Sequence, residues 1–140
     1  MLKQSVVLAA LATTLVSVAT AQSFAQGSAR SGYRVVNVKN FVANNQISNS
    51  NPNQVAVKLF ADAEEAEGRK SENVDVKYPT RDTAVVVMTK EGLADDSVAA
   101  IRRRVEMRRV QNRWQVTWVG EQNKCARGGG SQVWTSKLCS

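Results

Sequence analysis

Trp114-Gln115-Val116-Thr117-Trp118 alternates bulky apolar and polar side chains without interruption. Residues two apart share a face only in a strand, so this stretch commits the chain to a sheet with one buried side. Gln111-Asn112 stands just ahead of it and suits a two-residue turn. Counting back across that turn sets Val110 opposite Arg113. Arg109 then meets Trp114, Met107 meets Val116 and Val105 meets Trp118 on the inner face, with Arg108 against Gln115 and Glu106 against Thr117 outside. Polar and apolar partners separate, which predicts a hairpin. Residues 98–109 stay open to two readings: strand, which fits the second half better, or a helix capped by Asp95-Asp96-Ser97 with Val98, Ile101 and Val105 on one face.

A second hairpin precedes the first. Val74, Val76 and Tyr78 alternate with Asp75 and Lys77, and Ala84-Val85-Val86-Val87-Met88 is apolar on both faces, as in a central strand. With the turn in 79–83, Tyr78 faces Ala84, Val76 faces Val86 and Val74 faces Met88. Upstream, Asn51 can cap a helix, Pro52 suits its first turn and Gly68 its end, with Val55, Leu59, Phe60, Ala63 and Ala66 as the buried stripe. Asn44 to Asn51 reads as a loop, and Tyr33 to Val42 is β-prone. The expectation is an α+β fold: one helix packed on a four-stranded antiparallel meander, an extra N-terminal strand and a disulfide-closed C-terminal tail.

The disulfide follows from compartment. Residues 1–21 have a basic start at Lys3, an apolar run from Val6 to Ala19 and the small-residue site Ala19-Thr20-Ala21, which together predict a cleaved signal peptide. The apolar run falls short of the roughly 20 residues of a membrane span, so no stable span is expected after cleavage. Residues 22–32 lack bulky anchors and are expected to trail from one domain over 33–140. Cys125 and Cys139, the only cysteines, then pair as a staple in a periplasmic or secreted protein. They lack the two-residue spacing common in redox pairs.

The net charge of +7 falls to +6 without Lys3 and favours anionic partners, while export argues against genomic DNA. The densest cation cluster is Arg102, Arg103, Arg104, Arg108 and Arg109 around Glu106. Strand alternation puts Arg102, Arg104 and Arg108 on one face as a candidate stripe for carboxylates or phosphates, and leaves Arg109 to cover Trp114. A solvated outer face accounts for the same pattern. Trp114 and Trp118 fall at core positions of the hairpin, while Trp134, inside the presumed disulfide loop, either plugs the core or contacts a ligand.

Other motifs read as structure. Asp62, Glu64, Glu65 and Glu67 suit a solvated helix face, and the chain has no histidine to join them in metal or acid–base chemistry. Ser97 lacks a basic partner and reads as a turn residue. Arg127-Gly128-Gly129-Gly130 lacks the helix and Lys-Ser or Lys-Thr pair of a phosphate loop. No motif calls for a cofactor or metal.

Leu59-Phe60, Glu67-Gly68-Arg69, Gly92-Leu-Ala-Asp-Asp-Ser-Val98, Trp114, Gly120, Gln122, Cys125, Trp134 and Cys139 form a pattern that resembles a family of small exported bacterial proteins, mainly cyanobacterial, without assigned activity. The resemblance runs from Val55 to Cys139 and implies no catalytic residues. Members carry Gly-Arg-Gly after the first cysteine, where this chain has Arg127-Gly128-Gly129-Gly130.

The leading functional expectation is a noncatalytic envelope module that contacts an anionic envelope polymer or another envelope protein through Arg102, Arg104 and Arg108, with Trp134 as a further contact. One alternative is a small carboxylate-dependent hydrolase using Asp95, Asp96 or the helix acids. It requires converging carboxylates. A structural envelope subunit is the other, and requires a large exposed apolar patch.

Overall fold

The computed structural model describes residues 29–60 and 71–140. The leader, the helix end at Gly68, the stripe residues Ala63 and Ala66, and the acids Asp62, Glu64, Glu65 and Glu67 lie outside the described residues.

Strands β1 (Arg34–Val35), β2 (Ser71–Thr80), β3 (Thr83–Glu91), β4 (Val98–Val110) and β5 (Arg113–Cys125) form one antiparallel sheet in the order β1-β5-β4-β3-β2. It is a meander with a short N-terminal strand on its far edge. Residues 98–110 are strand throughout. Pairing with β3 on one side and β5 on the other overrides the helix signal, and Asp95 closes the turn into β4: its Oδ1 accepts from the backbone N–H groups of Ser97 and Val98, both at 2.8 Å. The same bonds hold the Asp95 carboxyl below its ordinary value.

The N-terminal strand is shorter than the β-prone run suggests. After Val35 the side chain of Asn37 accepts from the backbone N–H of Asn40 at 2.9 Å and caps helix α1 (Val38–Asn44). Val38, Phe41 and Val42, spaced i, i+3 and i+4, then face the core, so burial of one helical stripe overrides β-propensity. Helix α2, described over Pro52–Phe60, starts at the predicted cap. Asn51 and Gln54 each accept the other's backbone N–H through a side-chain oxygen at 2.9 Å, a reciprocal capping box. Val55 and Leu59 are fully buried, whereas Phe60 is half exposed.

Both helices lie on one face of the sheet. The core between the layers contains Phe41, Ile47, Val55, Leu59, Ala84, Val86, Met88, Val105, Met107 and Val119. Its fully buried residues include Lys90, two residues beyond Met88 on the same side, whose ammonium lies 3.6 Å from Glu72.

Each hairpin carries an irregularity. In the first, Val74↔Met88 and Val76↔Val86 pair as counted, but the register shifts between Lys77 and Thr80. Tyr78 therefore misses Ala84, sits half exposed, and meets Trp114 edge-on at 6.0 Å. In the second, Gln111 and Asn112 take φ of 50° and 62°, a two-residue turn with both central residues left-handed. Pairing follows the count from Val110↔Arg113 to Met107↔Val116. A bulge then sets Glu106 opposite Trp118 and Val105 opposite Val119. The extra residue, Thr117, reverses the facing of everything after it. Trp118 is thus not a core residue; Val119 takes that position, fully buried. Trp118 instead lies flat over Gly120, where a Cβ would come within 2.3 Å of its ring and 2.8 Å of the Tyr33 Cβ.

The tail closes as predicted. Cys125 and Cys139 are bonded, with Cα atoms 5.5 Å apart. Asn123 and Thr135 exchange backbone hydrogen bonds at 2.9 Å, and the N–H of Cys125 donates to the Ser131 carbonyl. The edge of β5 is thus covered first by β1 and then by the tail. Gly129 packs against the backbone of Ser97, where a Cβ would sit 2.8 Å from its carbonyl oxygen.

Candidate anion-binding sheet face

Strand alternation along β4 sends Arg102, Arg104, Glu106 and Arg108 to the face opposite the helices, alongside Thr89, Val87, Val85 and Thr83 of β3. Arg103 points the other way. It bonds Glu121 at 3.1 Å, and Arg34 joins the same carboxylate at 2.8 Å. Arg109, also off the stripe, bonds Asp82 at 3.0 Å and lies 5.8 Å from the centre of Trp114.

The three stripe arginines differ in how much charge they offer. Arg104 donates to Glu106 Oε1 at 3.0 Å, and Glu106 Oε2 takes two bonds from Arg30 at 2.5 and 3.1 Å. Burial pushes the Glu106 carboxyl up, but hydrogen bonds and charge from Arg30 and then Arg104 outweigh it and hold the pKa below the ordinary value. Arg104 is therefore largely neutralised. The Arg102 guanidinium lies over the Trp134 ring, 4.1 Å from its centre, and Lys124 approaches the same ring at 4.7 Å. This stacking fixes the Arg102 guanidinium, whose side-chain hydrogen bonds among the described residues are long ones to Thr89 and Gln122 at 3.5 and 3.4 Å. Arg108 is exposed and bonds to no side chain among the described residues.

Trp134 is half-buried and takes neither expected role in pure form. It folds back over the sheet from the disulfide loop and positions two cations. Arg30 was not anticipated at all. It falls in the segment expected to trail, yet stacks at 4.9 Å over Trp118, which Tyr33 meets edge-on at 5.9 Å. The available signal was a lone cation three residues before an aromatic in an otherwise uncharged stretch. Arg30, Arg104, Glu106 and Arg108 line a groove of about 740 Å³ with Thr83 and Thr117.

No protein-family model matches the chain, nor does any curated protein or solved structure. The site must be read from its own chemistry. Cations outnumber carboxylates on this face: Arg30, Lys77, Arg102, Arg104, Arg108 and Lys124 stand against Asp75, Glu91 and Glu106, with Lys77 paired to Asp75 at 3.2 Å. Among the described residues no three His, Cys, Asp or Glu side chains gather as a metal site. Asp95 accepts from the hydroxyl of Ser97 at 3.1 Å as part of the turn. The described helices include none long and apolar enough to cross a membrane.

Proposed function

We propose that the protein is a noncatalytic exported module, periplasmic or secreted, which holds an anionic polymer or the acidic surface of another envelope protein against the arginine-bearing face of its sheet. The observation that carries this reading is the pairing of an unengaged guanidinium, Arg108, with a pre-positioned one, Arg102, on the same face. A fixed guanidinium loses less freedom on binding than a loose one, so each bond it forms yields more net affinity. Thr83 and Thr89, the β3 threonines opposite the two arginines, add hydroxyl donors that suit carboxylate or phosphate oxygens. The disulfide and the strongly basic charge agree with work in an oxidising compartment beside anionic polymers.

Titration with dextran sulfate and with polyphosphate tests the proposal. Binding should weaken at least tenfold as salt rises from about 50 to 300 mM, because an exposed face is screened. Arg108→Ser should cost about two- to fivefold, since the site is solvated. Binding that ignores salt, or that survives Arg102→Ser with Arg108→Ser unchanged, sinks the reading.

A further inference from the structure

A second cleft opens on the other side of the molecule, where the start of α2 meets the β4–β5 turn. Asn49, Asn51, Gln54, Asn112, Arg113 and Trp114 line about 390 Å³. It shares Asn49 and Trp114 with a further 280 Å³ floored by Val42, Ile47 and Met107. The first volume falls within the range of small-ligand sites and the second lies just below it. Four primary amides around one indole, with no carboxylate, is an unusual lining.

Two of the four amides are held in place. Asn51 and Gln54 fix each other's planes because each side-chain oxygen takes the other's backbone N–H at 2.9 Å. Their NH₂ groups, two donors each, bond to nothing among the described residues. Asn49 and Asn112 sit at φ of 58° and 62°, and their side-chain amides are likewise free among the described residues. Trp114 meets Tyr78 edge-on and carries Arg109 over its ring, 5.8 Å from the centre, which leaves the opposite indole face for a ligand. Two amides in fixed planes, and two more carried at left-handed backbone positions, beside an aromatic surface match a ligand with a hydroxyl rim and an apolar C–H face. A sugar ring has that form. A peptide would seek a strand edge or a deeper apolar pocket, and a polyanion would seek more than the single cation Arg113.

The geometry points to this cleft as a binding site for a neutral saccharide, with the pyranose face on Trp114 and its hydroxyls on the amides of Asn49, Asn51, Gln54 and Asn112. The inference is independent of the arginine face and makes a different demand on salt.

The test is NMR titration of the disulfide-bonded protein with cellotetraose, tetra-N-acetylchitotetraose and tetra-alanine, each to about 10 mM, enough to detect millimolar binding. At least one sugar should shift the Trp114 indole N–H and the four side-chain amides saturably, with no change in about 0.5 M NaCl, a salt level that screens exposed charge. The double variant N49G/N112G removes two amides at left-handed positions that glycine occupies without strain. Its amide spectrum should stay dispersed while sugar binding weakens tenfold or more. No response to either sugar, a response to tetra-alanine alone, loss of binding in salt, or unchanged affinity in the folded double variant would each overturn the assignment. Dextran sulfate titration reads the arginine face separately, so failure at one site is not failure at the other.

Discussion

Glu106 shows how one carboxylate governs the arginine face. Its pKa is depressed in the folded protein, so it contributes stability that is present above its ordinary value of 4.5 and lost as pH falls through the folded value. Glu106→Gln should therefore destabilise at pH 7 by about 1 kcal/mol, a charged hydrogen bond discounted for partial exposure. The gap between variant and native protein should narrow as urea melts move from pH 6 toward pH 3. A gap that widens on acidification contradicts the placement. At Gly120 the constraint is steric. Gly120→Ala puts a methyl into the Trp118 ring and the Tyr33 Cβ, and urea titration should show a loss of about 1–3 kcal/mol, the usual cost of overpacking. This residue also shows where parity counting stops. Trp114 and Met107 face as counted, but Trp118 does not, because a bulge at Thr117 leaves no mark in an alternating pattern. Only Gly120, two positions on, with room for an indole over it, hinted that the ring turns outward.

Among the elements, α2 starts where its Asn-Pro boundary indicates, since capping is a local affair of four residues. Helix α1 was illegible for the opposite reason: its valines favour strands, and only the core between the layers makes a helical stripe of them worthwhile. The C-terminal clasp was legible from two lone cysteines behind a predicted export signal, but its partner was not. Nothing in the spacing says that Thr135 and Ser131 cover the backbone of Asn123 and Cys125. Removing the clasp in Cys125→Ser with Cys139→Ser should cost about 3 kcal/mol in the chain-entropy picture for a loop of this length. Amide exchange should show where. The N–H groups of Asn123 and Cys125 should lose protection well before those of Val105 and Val119, and equal loss at all four would mean that the tail does not guard the edge.

Among the described residues the sheet has a helix-covered face and an open one, and the anion-binding role belongs to the open one. Composition pointed to a cation-rich surface, and alternation placed Arg102, Arg104 and Arg108 on one side of it as observed. Pairing reduced that stripe: Arg104 answers Glu106, Arg102 lies on Trp134, and Arg108 alone stays unengaged among the described residues. Such pairings bring together residues 76 positions apart, Arg30 and Glu106, and no periodicity within either segment reveals them. The amide cleft was visible only as an asparagine-rich loop, because its other wall, Asn112 and Trp114, comes from a hairpin more than fifty residues later.

Arg30 has a practical corollary for anyone handling this protein. Ala29 borders the groove, so cargo joined ahead of it starts beside the arginines. Ser140 is tied to Gly129, next to Ser97, which strand rise places about 30 Å along β4 from Glu106. A purification handle at the front should blunt capture on sulfated resin, while the same handle at the back should leave it intact.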